Sequence, residues 1–309
     1  MTPPVRAAEV TAAPRAGAAA PLRLRAIIRT SRPRQWPKNL LVFAAPLAGG
    51  VLGQPGALVR TAVAGVAFLL ASAAVYAAND VADAERDRVH PVKRSRPVAA
   101  GELPERRALA LAAGCAVLAL VAGLASGVPM LSAAVAGYLA ISFLYSLGLK
   151  HVPGVEAVLV ASGFLLRVLG GAAAARVDLS GWFLLVCSTG ALGVAIAKRH
   201  TERVALAGES VRHRPVLRSY SAPALRRSQH VAFALMTACY LLWASGEPAG
   251  IRPWHLISAI PLAAALCRFA FLTGRATVRP VEDLIMRDGA MLGWEIVWLS
   301  LFMTGLGLR

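Results

Sequence analysis

Apolar residues fall in long blocks along the chain, and polar residues are confined to the stretches between them. Nine blocks stand out, at 39–54, 57–78, 108–126, 128–147, 155–174, 180–197, 229–246, 254–274 and 289–308. Most are roughly 17–22 residues long, the length of a single membrane-spanning helix. The first is interrupted by Pro46, Gly49 and Gly50 and is the weakest of the set. The joins near Pro55 and at Gly127–Pro129 are so short that the helices on either side must be hairpin neighbours. The pattern predicts an all-α polytopic membrane protein of about nine transmembrane helices, forming one domain over residues 22–309. Residues 1–21 are rich in Ala and Pro and hold no apolar core ending in a cleavage site, so they read as a disordered tail rather than a signal peptide.

Composition agrees with a bilayer environment. The chain is 57% hydrophobic and 16% charged, against about 45–50% and about 25% for soluble domains. The net charge of +17 would point to nucleic acid in a soluble protein. No basic segment here is interleaved with the aromatics that base stacking requires, so nucleic acid is not an expected partner. The excess follows instead from Lys and Arg retained in cytoplasmic loops. With the N-terminus inside, the tail and the loops 79–107, 148–154, 198–228 and 275–288 hold 27 of the 33 Lys and Arg residues. Arg176, Arg252 and Arg309 are the three on the other side, and Arg60, Arg167 and Arg268 lie within spans. This asymmetry places the expected active site on the cytoplasmic face of the cell membrane. The four cysteines all lie in apolar blocks without C-x-x-C spacing, which argues against a disulfide framework or a thiolate metal site.

The second block ends in Y-A-A-N-D-V-A-D-A-E-R-D, residues 76–87. At about 100° per residue, Asn79, Asp80, Asp83 and Asp87 share one helix face with Tyr76, and Glu85 points away. Three carboxylates so placed repel one another unless a cation joins them. Oxygen-only ligands suit Mg²⁺, which keeps waters and is commonly shared with substrate phosphates. H-P-V-K-R-S-R-P follows at 90–97, bringing Lys93, Arg94 and Arg96 next to the acids, as binding of a polyphosphate requires.

Other groups can face the same site from the cytoplasmic side. Lys38 stands at the mouth of the first block within R-P-R-Q-W-P-K-N, where Trp36 is a candidate interfacial anchor. Tyr145 and Lys150 flank the loop after the fourth block, and Glu156 opens the fifth. Lys198, Arg199, His200 and Glu202 follow the sixth. Arg167 lies deep in the fifth block and needs an internal partner or an anionic ligand. The acids of P-V-E-D-L-I-M-R-D, residues 280–288, have no role that the sequence assigns.

The string N-D-x-x-D-x-x-x-D after the second of nine helices resembles the UbiA-type intramembrane prenyltransferase superfamily. R-P-R-Q-W-P-K-N, the extended Asp motif through Pro97, Y-S-L-G-L-K-H and A-K-R-H-T-E are similar to the branch of phosphoribosyltransferases that act on decaprenyl phosphate. Glu156 stands where the superfamily's second Asp-rich motif is expected to begin, a departure from the aromatic prenyltransferases. The resemblance implies Mg²⁺ as cofactor, 5-phosphoribosyl 1-diphosphate as donor and a polyprenyl phosphate as acceptor, with a role in cell-wall arabinan synthesis. A prenyltransferase that moves a polyprenyl group onto an aromatic acceptor shares the metal site and stays open on the residues alone. A transporter would place ionisable groups at mid-membrane in repeated halves, and no repeat is visible.

Overall fold

The computed structural model describes residues 20–90, 93–205, 215–275 and 281–307. The predicted tail up to residue 19, Pro280 and part of the 198–228 loop lie outside them. Every regular element among the described residues is helical. In chain order they are α1 (Ala20–Thr30), a 3₁₀ segment (Pro33–Phe43), α2 (Ala44–Ala48), α3 (Pro55–Ala82), α4 (Ala84–Arg88) and a 3₁₀ turn (Lys93–Ser95). Then come α5 (Glu105–Ala125), α6 (Pro129–Leu147), a 3₁₀ turn (Leu149–His151), α7 (Val155–Ala175) and α8 (Gly181–Ala205). A 3₁₀ turn (Pro215–Ser219), α9 (Ala222–Ser245), α10 (Arg252–Thr273), α11 (Val281–Arg287) and α12 (Gly289–Gly307) complete the chain.

Among the described residues, seven helices are long and apolar enough to cross a membrane: α3, α5, α6, α7, α8, α10 and α12. The other two predicted spans take different forms. The seventh lies in α9, which has 24 residues but carries Arg226, Arg227, Gln229 and His230 in its first turns. The first is no continuous α-helix. It starts within a 3₁₀ segment that begins ahead of it at Pro33 and contains Pro37, and Pro46 lies inside α2; each proline removes a backbone donor that an α-helix would use.

α3 packs against α5, α6 and α7, and its share of the core there is built mostly from small residues. Ala64, Ala67, Ala71 and Ala74 follow one stripe of α3 and are fully buried with Phe68. Small side chains allow close backbone approach where lipid provides no hydrophobic drive between helices. The closest approach is at Gly171 of α7, where an added Cβ would collide with the carbonyl oxygen of Val42. This contact seats the broken first segment against α7. On the outer surfaces, Val59, Val66, Val117, Leu124, Ile260 and Ile296 are more than half exposed, as a lipid-facing surface requires and a water-facing one avoids.

The span-borne cations find internal partners. Arg60 donates to the carbonyl of Ala174 at 2.9 Å, and Arg268 forms a two-pronged pair with Asp288 at 2.8 and 3.0 Å. Asp288 also accepts from the backbone N–H of Met291 in the first turn of α12. The guanidinium and this backbone donor together hold the Asp288 carboxyl down to about 2. The last acid of the 280–288 stretch thus fastens α12 to α10.

Candidate active site

The Asp-bearing face is interrupted where the sequence pattern expected one continuous helix. α3 ends at Ala82, Asp83 sits at φ −100° and ψ 1°, and α4 starts at Ala84. The break is one residue long, because the Asp83 N–H still bonds the carbonyl of Asn79 and the Asp87 N–H that of Asp83. Its effect is to separate the acids into two groups. Asp80 and Asp87, 2% and 3% exposed, converge on one guanidinium nitrogen. Nη1 of Arg96 lies 2.6 Å from Asp87 and 3.5 Å from Asp80. Arg32 meets Asp80 at 2.5 Å while its guanidinium lies over the ring of Tyr76. Asp83 is the more accessible acid and pairs with Arg86 at 2.7 Å and Lys150 at 3.4 Å. The amide oxygen of Asn79 accepts from Ser146 at 2.6 Å. Glu85 is exposed.

The remaining predicted residues divide between this cluster and two neighbouring ones. Lys150 joins the acids from the turn after α6. Tyr145, Glu156 and Arg199 form a second group. Nε of Arg199 donates to both oxygens of the fully buried Glu156 at 2.6 and 2.8 Å, Nη1 reaches Glu202 at 2.6 Å, and Nη2 lies 3.5 Å from the Tyr145 hydroxyl. Lys198 to Glu202, expected after the sixth span, lie within α8, which runs on to Ala205. Arg167 forms the third group, with Asn39. Its partners are all neutral: the Asn39 amide oxygen at 2.8 Å, the Ser72 hydroxyl at 2.8 Å and the Gly163 carbonyl at 2.6 Å, with the Tyr138 ring 4.4 Å below. Lys38 turns to the Phe164 ring, 5.8 Å from its centroid. Lys93 and Arg94 occupy the 3₁₀ turn before Arg96, with Arg94 exposed.

Sequence reasoning missed Arg32, Ser146 and Tyr220. Arg32 opens the quoted R-P-R-Q-W-P-K-N string, and an Arg placed before a Pro at a membrane boundary was the available signal. Ser146 lies next to Tyr145. Tyr220, whose hydroxyl is 3.4 Å from Glu156 and accepts from the N–H of Gly154, follows a loop with no distinguishing pattern.

Among the described residues no three His, Cys, Asp or Glu side chains converge as a self-sufficient metal cage. A Mg²⁺ ion shared with substrate phosphates needs only one or two carboxylates from the protein. The donor set fits: oxygen-only side chains, with a cationic nitrogen already lodged between Asp80 and Asp87.

An all-helical membrane bundle with an Asp cluster at one helix end defines a class of intramembrane transferases, and comparison with known proteins agrees. Residues 40–283 match the UbiA prenyltransferase family, and the chain belongs to that family. It is a transferase. It is 37% identical over 278 residues to a decaprenyl-phosphate phosphoribosyltransferase of Mycobacterium tuberculosis, covering 89% of this chain and 92% of that one. A protein of the same name from Corynebacterium glutamicum is 37% identical over 279 residues, covering 88% and 84%. In fold the chain is similar to a UbiA homolog from Archaeoglobus fulgidus bound to GPP and Mg²⁺, with a TM-score of 0.69 at 17% identity over 92% of this chain and 99% of that one.

Proposed function

We propose that the chain transfers 5-phosphoribose from 5-phosphoribosyl 1-diphosphate to a polyprenyl phosphate, releasing diphosphate on the cytoplasmic side of the cell membrane. The product would serve as a precursor for cell-wall arabinan. The observation that carries the reading is the surplus of cations around the Asp cluster. Arg32, Arg96 and Lys150 all contact its carboxylates, and Lys93 and Arg94 stand one turn away. A diphosphate bound with a metal needs fewer positive groups than this, and a donor with a further 5-phosphate makes use of them.

Asn79, Asp80, Asp83 and Asp87 would hold Mg²⁺, which when bound supplies charge neutralisation to the departing diphosphate. Arg32 and Arg96 are mobile charges in this scheme. As donor and metal arrive, their guanidinium groups pass from the carboxylates to phosphate oxygens, for which the planar fork is suited. Lys150 and Lys198 stabilise charge moving onto the leaving group. The acceptor's phosphate oxygen attacks C1 of the ribose as the C1–O bond to diphosphate breaks. That oxygen is already anionic, so no strong general base is needed. The polyprenyl tail lies along the apolar helices, which explains why sugar-phosphate chemistry is placed in a membrane.

The test is incubation of the purified chain in lipid nanodiscs with radiolabelled 5-phosphoribosyl 1-diphosphate, Mg²⁺ and decaprenyl phosphate. Label is expected in the lipid phase and is expected to disappear with chelator. Transfer of a prenyl group to an aromatic acid, with phosphoribosyl diphosphate left unused, would overturn the proposal.

A further inference from the structure

A second concentration of positive charge lies outside the Asp cluster. A cavity of about 490 Å³ at the cytoplasmic ends of α8 and α9 is lined by His200, Arg226, Arg227 and His230, with Ala222 and Pro223. Among the described residues its wall contains no carboxylate. His200 follows Arg199 directly, so about 100° of helix rotation turns it from the Glu156 side toward α9. His200 is 4% exposed, and its Nδ1 is buried without a hydrogen-bond partner among the described residues. A buried ring nitrogen left so is costly unless a ligand or water completes it.

The same two residues, Arg226 and His230, also open a second cavity of about 400 Å³. This one is an apolar trough between α9 and α10. Phe233, Ala234 and Thr237 continue the His230 face along α9, and Leu266, Ala270 and Phe271 form the opposite wall. From His230 to Thr237 the trough follows about 10 Å of helix. At its cytoplasmic end Arg275 and Arg268 lie over the Phe271 ring, at 4.2 and 5.5 Å from its centroid.

We infer that this continuous feature binds an anionic membrane lipid, with its phosphate headgroup among His200, Arg226, Arg227 and His230 and one chain in the α9–α10 trough. A basic cavity alone would take any small anion, and a trough alone any hydrocarbon. Joined through shared residues at a membrane boundary, they select an amphiphile with a phosphate head. Positive-inside retention explains the sign of Arg226 and Arg227, but it does not require a cavity between them, an imidazole with an unpaired buried Nδ1 or an apolar extension. Among the described residues, Asp80, Asp83 and Asp87 take their partners from outside α8 and α9, so the headgroup residues do not pair with the acids, and the inference does not depend on which group is transferred.

The experiment uses the full chain, stripped of lipid in detergent, with radiolabelled phosphatidic acid, phosphatidylcholine and inorganic phosphate as probes. Phosphatidic acid is expected to bind, phosphatidylcholine to bind at least ~10-fold more weakly, and Arg226→Gln/Arg227→Gln to weaken phosphatidic acid by ~10-fold or more through loss of two charge-assisted contacts. Ala234→Trp fills the trough and is expected to weaken the lipid while leaving inorganic phosphate binding unchanged. Thermal unfolding and elution volume show that each variant is folded, and the exposed Arg pair makes its double substitution safe in this respect. Unchanged phosphatidic acid binding in both variants overturns the inference. So does inorganic phosphate competing as strongly as the lipid, because the cavity would then be a free-anion site.

Discussion

Asp83 is the most accessible of the three carboxylates, because Asp80 and Asp87 are almost completely covered and closed over Arg96. Asp83→Asn keeps the shape and removes the charge. We expect a fall of at least ~10³-fold in kcat/KM with unchanged membrane insertion, equivalent to several kcal/mol of lost charge stabilisation. Glu85, two residues on, is exposed, and Glu85→Gln should change kcat/KM by less than ~3-fold, within the range of an exposed charge. Measuring the two variants side by side decides whether the acids act as a face, and equal damage from both would refute it. Arg199 and Glu156 allow a different test, since both are almost wholly buried. Glu156→Gln leaves Glu202 as the guanidinium's remaining acidic partner and should lower stability by about 3 kcal/mol. The double change Glu156→Leu/Arg199→Met should recover the thermal midpoint in detergent without recovering activity. The acids, Lys150 and the Glu156–Arg199 region could be read from the chain because charge at a membrane boundary is costly and therefore conspicuous. Which cation meets which acid could not be read, since Arg32 and Asp80 are brought together only by the fold.

At the level of the element, the first span shows where periodicity stops being informative. Its prolines and glycines marked it as weak, but not that it would become a 3₁₀ segment followed by a five-residue helix. That outcome depends on Gly171, sixteen positions into α7, whose missing side chain admits the Val42 carbonyl. Gly171→Ala should therefore cost about 1–3 kcal/mol through forced displacement of the segment, read as a lower thermal midpoint and reduced activity. Gly137→Ala is the control, because a Cβ there meets only Leu166 at ordinary van der Waals distance, and it should be tolerated. The break at Asp83 belongs to the same category. Four of the six residues of Val81–Arg86 are strong helix formers, so the sequence supports continuity, and the turn becomes visible only when Asp87 and Asp80 are seen to share Arg96.

For the molecule as a whole, the distribution of charge predicts its orientation. Ser95→Cys, introduced after the four native cysteines are replaced, should react with impermeant thiol reagents only from the cytoplasmic side, and Ser180→Cys only from outside. Labelling of Ser95→Cys in sealed cells would reverse the topology. The Arg96 bridge has a further consequence, for biogenesis. A polypeptide leaving the insertion machinery carries Asp80 and Asp87 into an almost fully covered position. Because Arg96 is only nine residues beyond Asp87, on the same polar loop, the chain neutralises these acids itself as that loop is laid down. Folding of this corner of the bundle therefore draws the counter-charge for both acids from the chain's own next loop.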